Sequence, residues 1–220
     1  MYELGKVFRN EGMDKNHSPE FTSMECYMAY GDMDKVIDVT EQIVYKCAIA
    51  VNNSPIIRYQ GKEFDVTPPW NRIDMTDAVR DIAGVDFRRT DTDEEAREAA
   101  IAKGMDPAQV KEWTRGKIIA EMFEEFCEAE PGFLDGPCFI TSHPVDVSPL
   151  SKRNSEDPRI TRRFEAYING WEICNGFSEL NDPIDQYERF VEQQKELDLG
   201  IDEEAHPMDL DRRPDRKSVV

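Results

Sequence analysis

Asn169-Gly170 interrupts two runs of alternating apolar residues, and it restricts the fold of this chain more than any other feature. Both positions of a two-residue hairpin turn need positive φ, which asparagine and glycine adopt most readily, so the flanking runs read as antiparallel strands. Such a turn pairs Ile168 with Trp171, Tyr167 with Glu172 and Glu165 with Cys174. Glu165 and Glu172 then sit diagonally on one face, roughly 7–8 Å apart at the backbone. Two carboxylates aimed at one point repel unless a proton or cation joins them. Oxygen ligands with no cysteine or histidine beside them suit magnesium, usually shared with nucleotide phosphates. Asn175, Phe177 and Glu179 have the opposite parity to Glu172. Gathering all four on one face requires a bulge near Cys174–Gly176, where Gly176 would permit one.

A second charged hairpin is expected near the N-terminus. Phe8-Arg9-Asn10-Glu11-Gly12 is followed by His17-Ser18-Pro19-Glu20-Phe21-Thr22 and Glu25-Cys26-Tyr27. From Phe21 a period of two places Phe21, Ser23, Glu25 and Tyr27 on one face, and sends Met24, Cys26, Met28 and Tyr30 to the core. Arg9 and Glu11 share a parity on a preceding strand, Lys6 to Gly12, and a polar loop from Met13 to Glu20 joins the two. A half-exposed sheet often carries charge on its solvated side. The full string, in this order, is more specific than that.

Those residues resemble motif two of the class II aminoacyl-tRNA synthetases, and among them the lysyl-tRNA synthetases. The segment Arg163–Asp182 resembles the part of the same family that carries its metal-binding glutamates and lysine pocket. The resemblance covers residues 2 to about 209 and implies an α+β fold. Its core would be an antiparallel β-sheet of the class II synthetase type, with flanking helices and a helical insertion.

The intervening sequence fits that outline. Val36, Ile37, Ile43, Val44, Cys47, Ala48 and Val51 recur at helical spacing from about Met33 to Val51. Ile56 to Val66, centred on Gln60-Gly61, reads as a short hairpin, and Pro68-Pro69 as a break. Thr76 or Asp74 caps a short helix running to Gly84. Thr92-Asp93-Glu94-Glu95 has the form of a capping box opening a helix that ends before Gly104, and Asp106-Pro107 opens another. A helix from roughly Arg115 to Ala129, a buried strand from Cys138 to Thr141 and a surface helix from Gln186 to Leu197 complete the reading. The expected organisation is a partial class II catalytic domain over 1–209, with the helical insertion at about 74–135, and a disordered tail over 210–220.

Charge and cysteine usage exclude several classes. The formal net charge of −19 over 220 residues repels a nucleic-acid backbone on average, so tRNA as a partner is implied by the family alone. The five cysteines show no CxxC spacing and read as small core residues in a reducing, cytoplasmic setting. His17, His143 and His206 are too scattered for a metal triad. No apolar run reaches membrane-spanning length.

The resemblance implies roles residue by residue. Arg9 bridges the lysine carboxylate and the α-phosphate of ATP. Glu11 accepts from the adenine amino group, Phe21 stacks on adenine, and His17 approaches the terminal phosphates. Glu165 and Glu172 hold Mg2+. Glu25 and Glu179 receive the lysine ammonium, with Tyr27 adding a hydroxyl and Asn175 and Phe177 shaping the walls. The implied activity is ATP-dependent activation of lysine and its transfer to tRNA(Lys), by an enzyme that is a homodimer when intact. Relative to the family pattern, Asn16 replaces a basic residue and Cys174 a glycine. The anticodon-binding domain, motif one and motif three with its ATP-holding arginine are not found in this stretch. A catalytically inactive lysine- or ATP-binding or regulatory module is the alternative. A lysine ligase acting on elongation factor P is a third, less consistent with Glu25 and the long insertion.

Overall fold

The computed structural model describes residues 1–9 and 18–198, which fall into two compact units. The first unit is Met1–Asp32. In it β1 (Tyr2–Phe8) and β2 (Glu20–Cys26) pair antiparallel, with Val7 opposite Phe21, Gly5 opposite Ser23 and Glu3 opposite Glu25. The first strand thus starts and ends earlier than the expected Lys6–Gly12, because Tyr2, Glu3 and Leu4 find partners in Cys26, Glu25 and Met24. Arg9 follows the strand and still donates its backbone N–H to the Pro19 carbonyl at 3.0 Å. The expected loop and the tail over 210–220 lie wholly or largely outside the described residues.

The ribbon's faces depart from the sequence expectation. Phe21 and Ser23 are half-buried, whereas Met24, Cys26, Met28 and Tyr30 are exposed, with Met24 at 43%. Alternation distinguishes the two faces of a strand; which of them is buried depends on what packs there.

The second unit begins at Met33 and is built on a four-stranded sheet in the order β5 (Asn71–Asp74), β6 (Cys138–Thr141), β7 (Arg163–Ile168) and β8 (Trp171–Phe177). β5 runs parallel to β6, and the other two pairings are antiparallel. A helical layer covers one face. It comprises α2 (Met75–Ala78), α3 (Asp93–Lys103), α4 (Pro107–Val110) and α5 (Arg115–Met122). Cys138, Ile140 and Tyr167 join its core with Val79, Phe87, Ile118 and Met122. On the opposite face α1 (Met33–Asn52) packs Ile37 and Ala48 against Phe139, Phe164 and Ala166. A separate hairpin, β3 (Ile56–Tyr59) and β4 (Lys62–Asp65), precedes β5. The protein is α+β, with an antiparallel-rich sheet.

Local chemistry explains most boundaries. Thr92 Oγ1 accepts from the Glu95 N–H while the Glu95 carboxylate accepts from the Thr92 N–H, which satisfies two orphan donors at the start of α3. Asp74, rather than Thr76, caps α2. The α2 and α5 helices each run on into a π-helical turn, Val79–Ala83 and Phe123–Glu128. The last helix, α6 (Pro183–Asp198), starts earlier than the expected Gln186, because Asp182 Oδ1 accepts from the Ile184 N–H at 2.9 Å ahead of Pro183 in its first turn. The cysteines are all free; Cys127 and Cys138 are buried as expected, whereas Cys26 and Cys47 are exposed.

Candidate active site

The β7–β8 hairpin turns through Asn169 and Gly170, at φ 58° and 71°. Ile168 pairs with Trp171 and Tyr167 with Glu172, as the turn dictates. Beyond that the register shifts, so Ala166 faces Cys174 and Glu165 faces Asn175. Glu165 therefore does not pair with Cys174, and the irregularity falls at Ile173, just before the expected Cys174–Gly176. Ile173 is the residue left without a ladder partner. Its effect is the one the parity argument required: Arg163, Glu165 and Tyr167 share a face with Glu172, Asn175 and Phe177. Gly176 serves a different purpose. It lies opposite Phe164, and a Cβ there would come within 2.5 Å of the Phe164 ring.

Glu165 is the most constrained carboxylate on this face. Arg163 Nη2 donates to its Oε1 at 2.5 Å, and the Tyr167 hydroxyl to its Oε2 at 3.0 Å. His143 Nε2 approaches Oε2 at 3.3 Å, within ion-pair reach but out of line for a hydrogen bond. Burial, the largest single influence, raises the Glu165 carboxyl. The adjacent His143 ring, the Arg163 guanidinium and the Tyr167 hydroxyl outweigh it and hold the group down at about 2. Glu128 Oε1 lies 2.9 Å from the same hydroxyl, so the two carboxylates compete for its single proton, and the contact links the sheet to the π-helical turn after α5. Although Glu128 is exposed as a residue, its carboxyl end is turned in against Tyr167, and burial there pushes it above the usual range. The Tyr167 hydroxyl is pushed far up, first by burial and then by the two carboxylates.

The remaining expected residues of this unit, Glu172, Asn175 and Glu179, are exposed, and Phe177 is half-buried. Partial burial of its carboxyl raises Glu179. Glu179 bridges to Ser151 in the loop before β7, and that loop is pinned from below. Arg189 of α6, itself buried, donates to the Ser148 and Ser151 carbonyls at 3.0 and 2.7 Å and pairs with Asp185.

In the first unit, Arg9, Phe21, Glu25 and Tyr27 come from one ribbon. The Arg9 guanidinium lies 5.5 Å from the centroid of the Phe21 ring, so these two side chains share the expected face. Glu25 stands directly opposite Glu3, a carboxylate outside the motif that places Glu25 on the ribbon. Glu11 and His17 lie outside the described residues.

A family model described as tRNA synthetases class II (D, K and N) matches residues 1–211. The chain belongs to that family. Its relatives include proteins named lysine–tRNA ligase from Thermoanaerobacter pseudethanolicus (50% identical over 211 residues), Clostridium acetobutylicum (47% over 212) and Listeria monocytogenes (49% over 211). Each alignment takes in 96% of this chain and 40–41% of the relative, so the chain spans about two fifths of the length of the relatives it matches.

Within this class II synthetase chain, the donor set fits a hard divalent cation. Among the described residues no cluster of three or more histidine, cysteine, aspartate or glutamate side chains could hold a metal by itself. Magnesium commonly takes only one or two carboxylates and completes its shell with water and phosphate oxygens. Glu165 is ionised, and a carboxylate offers about four lone-pair positions. Arg163 uses one on Oε1, while Tyr167 and His143 crowd Oε2, so a position remains on Oε1 for one metal contact. Arg163 and Tyr167 flank Glu165 at two-residue spacing and were readable by parity. His143 was not, because only the fold brings it to Glu165.

Proposed function

We propose that this chain carries the amino-acid activation site of a lysine–tRNA ligase working in the cytoplasm. The observation that carries the reading is the shared face of β7 and β8, on which the register shift at Ile173 gathers Glu165, Glu172, Asn175 and Phe177. Identity near 50% to proteins named lysine–tRNA ligase supports the choice of substrate. Free thiols throughout are consistent with a reducing compartment.

In this reading a lysine carboxylate oxygen attacks the α-phosphorus of ATP. A new P–O bond forms, the α–β bridge bond breaks, and pyrophosphate leaves with its electron pair. The terminal ribose hydroxyl of tRNA(Lys) then attacks the acyl carbon and AMP departs. Two anions must be brought into line for the first step, so positioning and positive charge matter more than a general base. Arg9 would bridge both anions through its planar fork, and Phe21 would stack on adenine beside it. Glu11 would accept from the adenine amino group and His17 would approach the terminal phosphates. Glu165 and Glu172 would hold Mg2+, which when bound neutralises phosphate charge.

Lysine would be selected by Glu25 and Glu179 at its ammonium, with Tyr27, Asn175 and Phe177 shaping its surroundings. The facing carboxylates of Glu3 and Glu25 favour a cation there, since like charges directly opposite on a ribbon are otherwise destabilising. A carboxylate covered by a bound ammonium would also reject uncharged analogues, which would leave it unpaired. tRNA(Lys) and a second subunit belong to the same proposal as partners of the whole enzyme.

The test is lysine-dependent ATP–pyrophosphate exchange by the purified chain beside Glu25→Gln. Exchange that requires lysine and disappears in the variant supports the reading. Lysine binding without exchange supports a binding module, and neither activity rejects both.

A further inference from the structure

His143 is 2% exposed, yet neither of its ring nitrogens has an aligned hydrogen-bond partner. Leaving a buried polar group unpaired costs about 1–3 kcal/mol, so its retention inside a packed fold calls for a reason. The backbone around it is fixed. Ser142, the residue before it, sits at φ 62°, an uncommon conformation for a side chain other than glycine. The His143 carbonyl accepts from both the Thr161 N–H at 2.8 Å and the Thr161 hydroxyl at 3.0 Å. The ring is thereby held with Nε2 3.3 Å from Glu165 Oε2.

Arg163 and His143 serve Glu165 differently. Arg163 holds Oε1, the oxygen with a lone pair left for a metal, and its full positive charge would oppose a divalent cation arriving there. His143 approaches the other oxygen, alongside the Tyr167 hydroxyl. A small rotation of the carboxylate would bring Oε2 into line with Nε2–H, and this donor is present in the neutral Nε2–H tautomer and in the cation alike.

We propose that His143 is a positioning residue that takes up Glu165 Oε2 when a divalent cation engages Oε1, so that the carboxylate stays in place as its hold on Arg163 loosens. This rests on the reading of Glu165 as a metal ligand. It requires no change in protonation, and it makes the imidazole, which in the metal-free chain lies beside Oε2 without an aligned hydrogen bond, the donor that completes the metal-bound site. Partners that orient a metal ligand typically affect metal affinity by about 10–100-fold.

The test uses Mn2+ as the probe, read by its electron paramagnetic resonance signal on the full chain. The variants are His143→Phe, His143→Gln and Glu165→Gln, each with its melting temperature. The expected result is Mn2+ binding abolished in Glu165→Gln, weakened about tenfold or more in His143→Phe, and largely restored in His143→Gln, which keeps an N–H donor. Glu165-dependent binding that is indifferent to His143 overturns the inference and leaves the metal reading intact. Binding that ignores Glu165 overturns both. A measurement on the unsubstituted protein removes dependence on how the variants fold. With nitrogen-15 histidine label, Mg2+ should move one of the three imidazole spin systems and protect its Nε2–H from exchange. Unchanged histidine signals at saturating Mg2+ would overturn the inference.

Discussion

The ring of Phe164 lies over the backbone of Gly176, its partner across the β7–β8 ladder, and a Cβ at 176 would stand 2.5 Å from Phe164 Cζ. Phe164 is fully buried and stacks edge-on to Phe139, so it has little room to retreat. Gly176→Ala should destabilise the protein by about 2 kcal/mol through overpacking, read as a lower urea midpoint with an unchanged slope. A midpoint equal to that of the parent would show that the ring yields.

Glu165 supplies a pH test. Its folded carboxyl is held at about 2 against an ordinary value of 4.5, so its contribution to stability is fully present above pH 4.5 and is lost as pH falls toward 2. Glu165→Gln lacks this titration. The gap in unfolding free energy between parent and variant should therefore narrow between pH 5 and pH 3, and a gap independent of pH would contradict the assignment.

Arg9 tests the proposed chemistry apart from substrate binding. Lysine keeps the charge of arginine but not its planar fork, so Arg9→Lys should retain lysine binding while pyrophosphate exchange drops by about a hundredfold. Calorimetry with lysine and exchange kinetics read the two effects separately. Equal loss of both would point to a collapsed ribbon instead.

The thiols make a prediction that needs no substrate. Burial pushes Cys127 up to about 12 and Cys138 to about 11, whereas Cys26 and Cys47 are exposed. The thiolate is the reactive form, so iodoacetamide in native buffer should label Cys26 and Cys47 first, and Cys127 and Cys138 only after unfolding. Mass spectrometry of tryptic peptides assigns the order.

Much of this architecture was legible in the sequence where the signal is local. The turn at Asn169-Gly170, the capping box at Thr92 and the amphipathic run of α1 each depend on neighbours a few residues away, and each element formed where expected. β5 was invisible because Asn71–Asp74 offers one large apolar residue, Ile73, and becomes a strand only by lying parallel to β6. The ribbon strand was misplaced by four residues at its start because the charged end, Arg9 to Glu11, drew the boundary toward itself. Among the site residues, those on β7 and β8 followed from parity plus a bulge. The roles of Glu128 and His143 depend on contacts across 39 and 22 positions of chain, and no periodicity encodes such a meeting.

The shift at Ile173 also sets which changes of chain length this hairpin can absorb. Removing Ile173 would leave Glu172 opposite Tyr167, Cys174 opposite Ala166 and Asn175 opposite Glu165, so every side chain keeps its face and only the local twist is lost. Adding one residue between Cys174 and Asn175 would instead turn Asn175 and Phe177 toward α1 while changing none of their identities. Related chains should therefore tolerate a deletion at this point and exclude an insertion beside it.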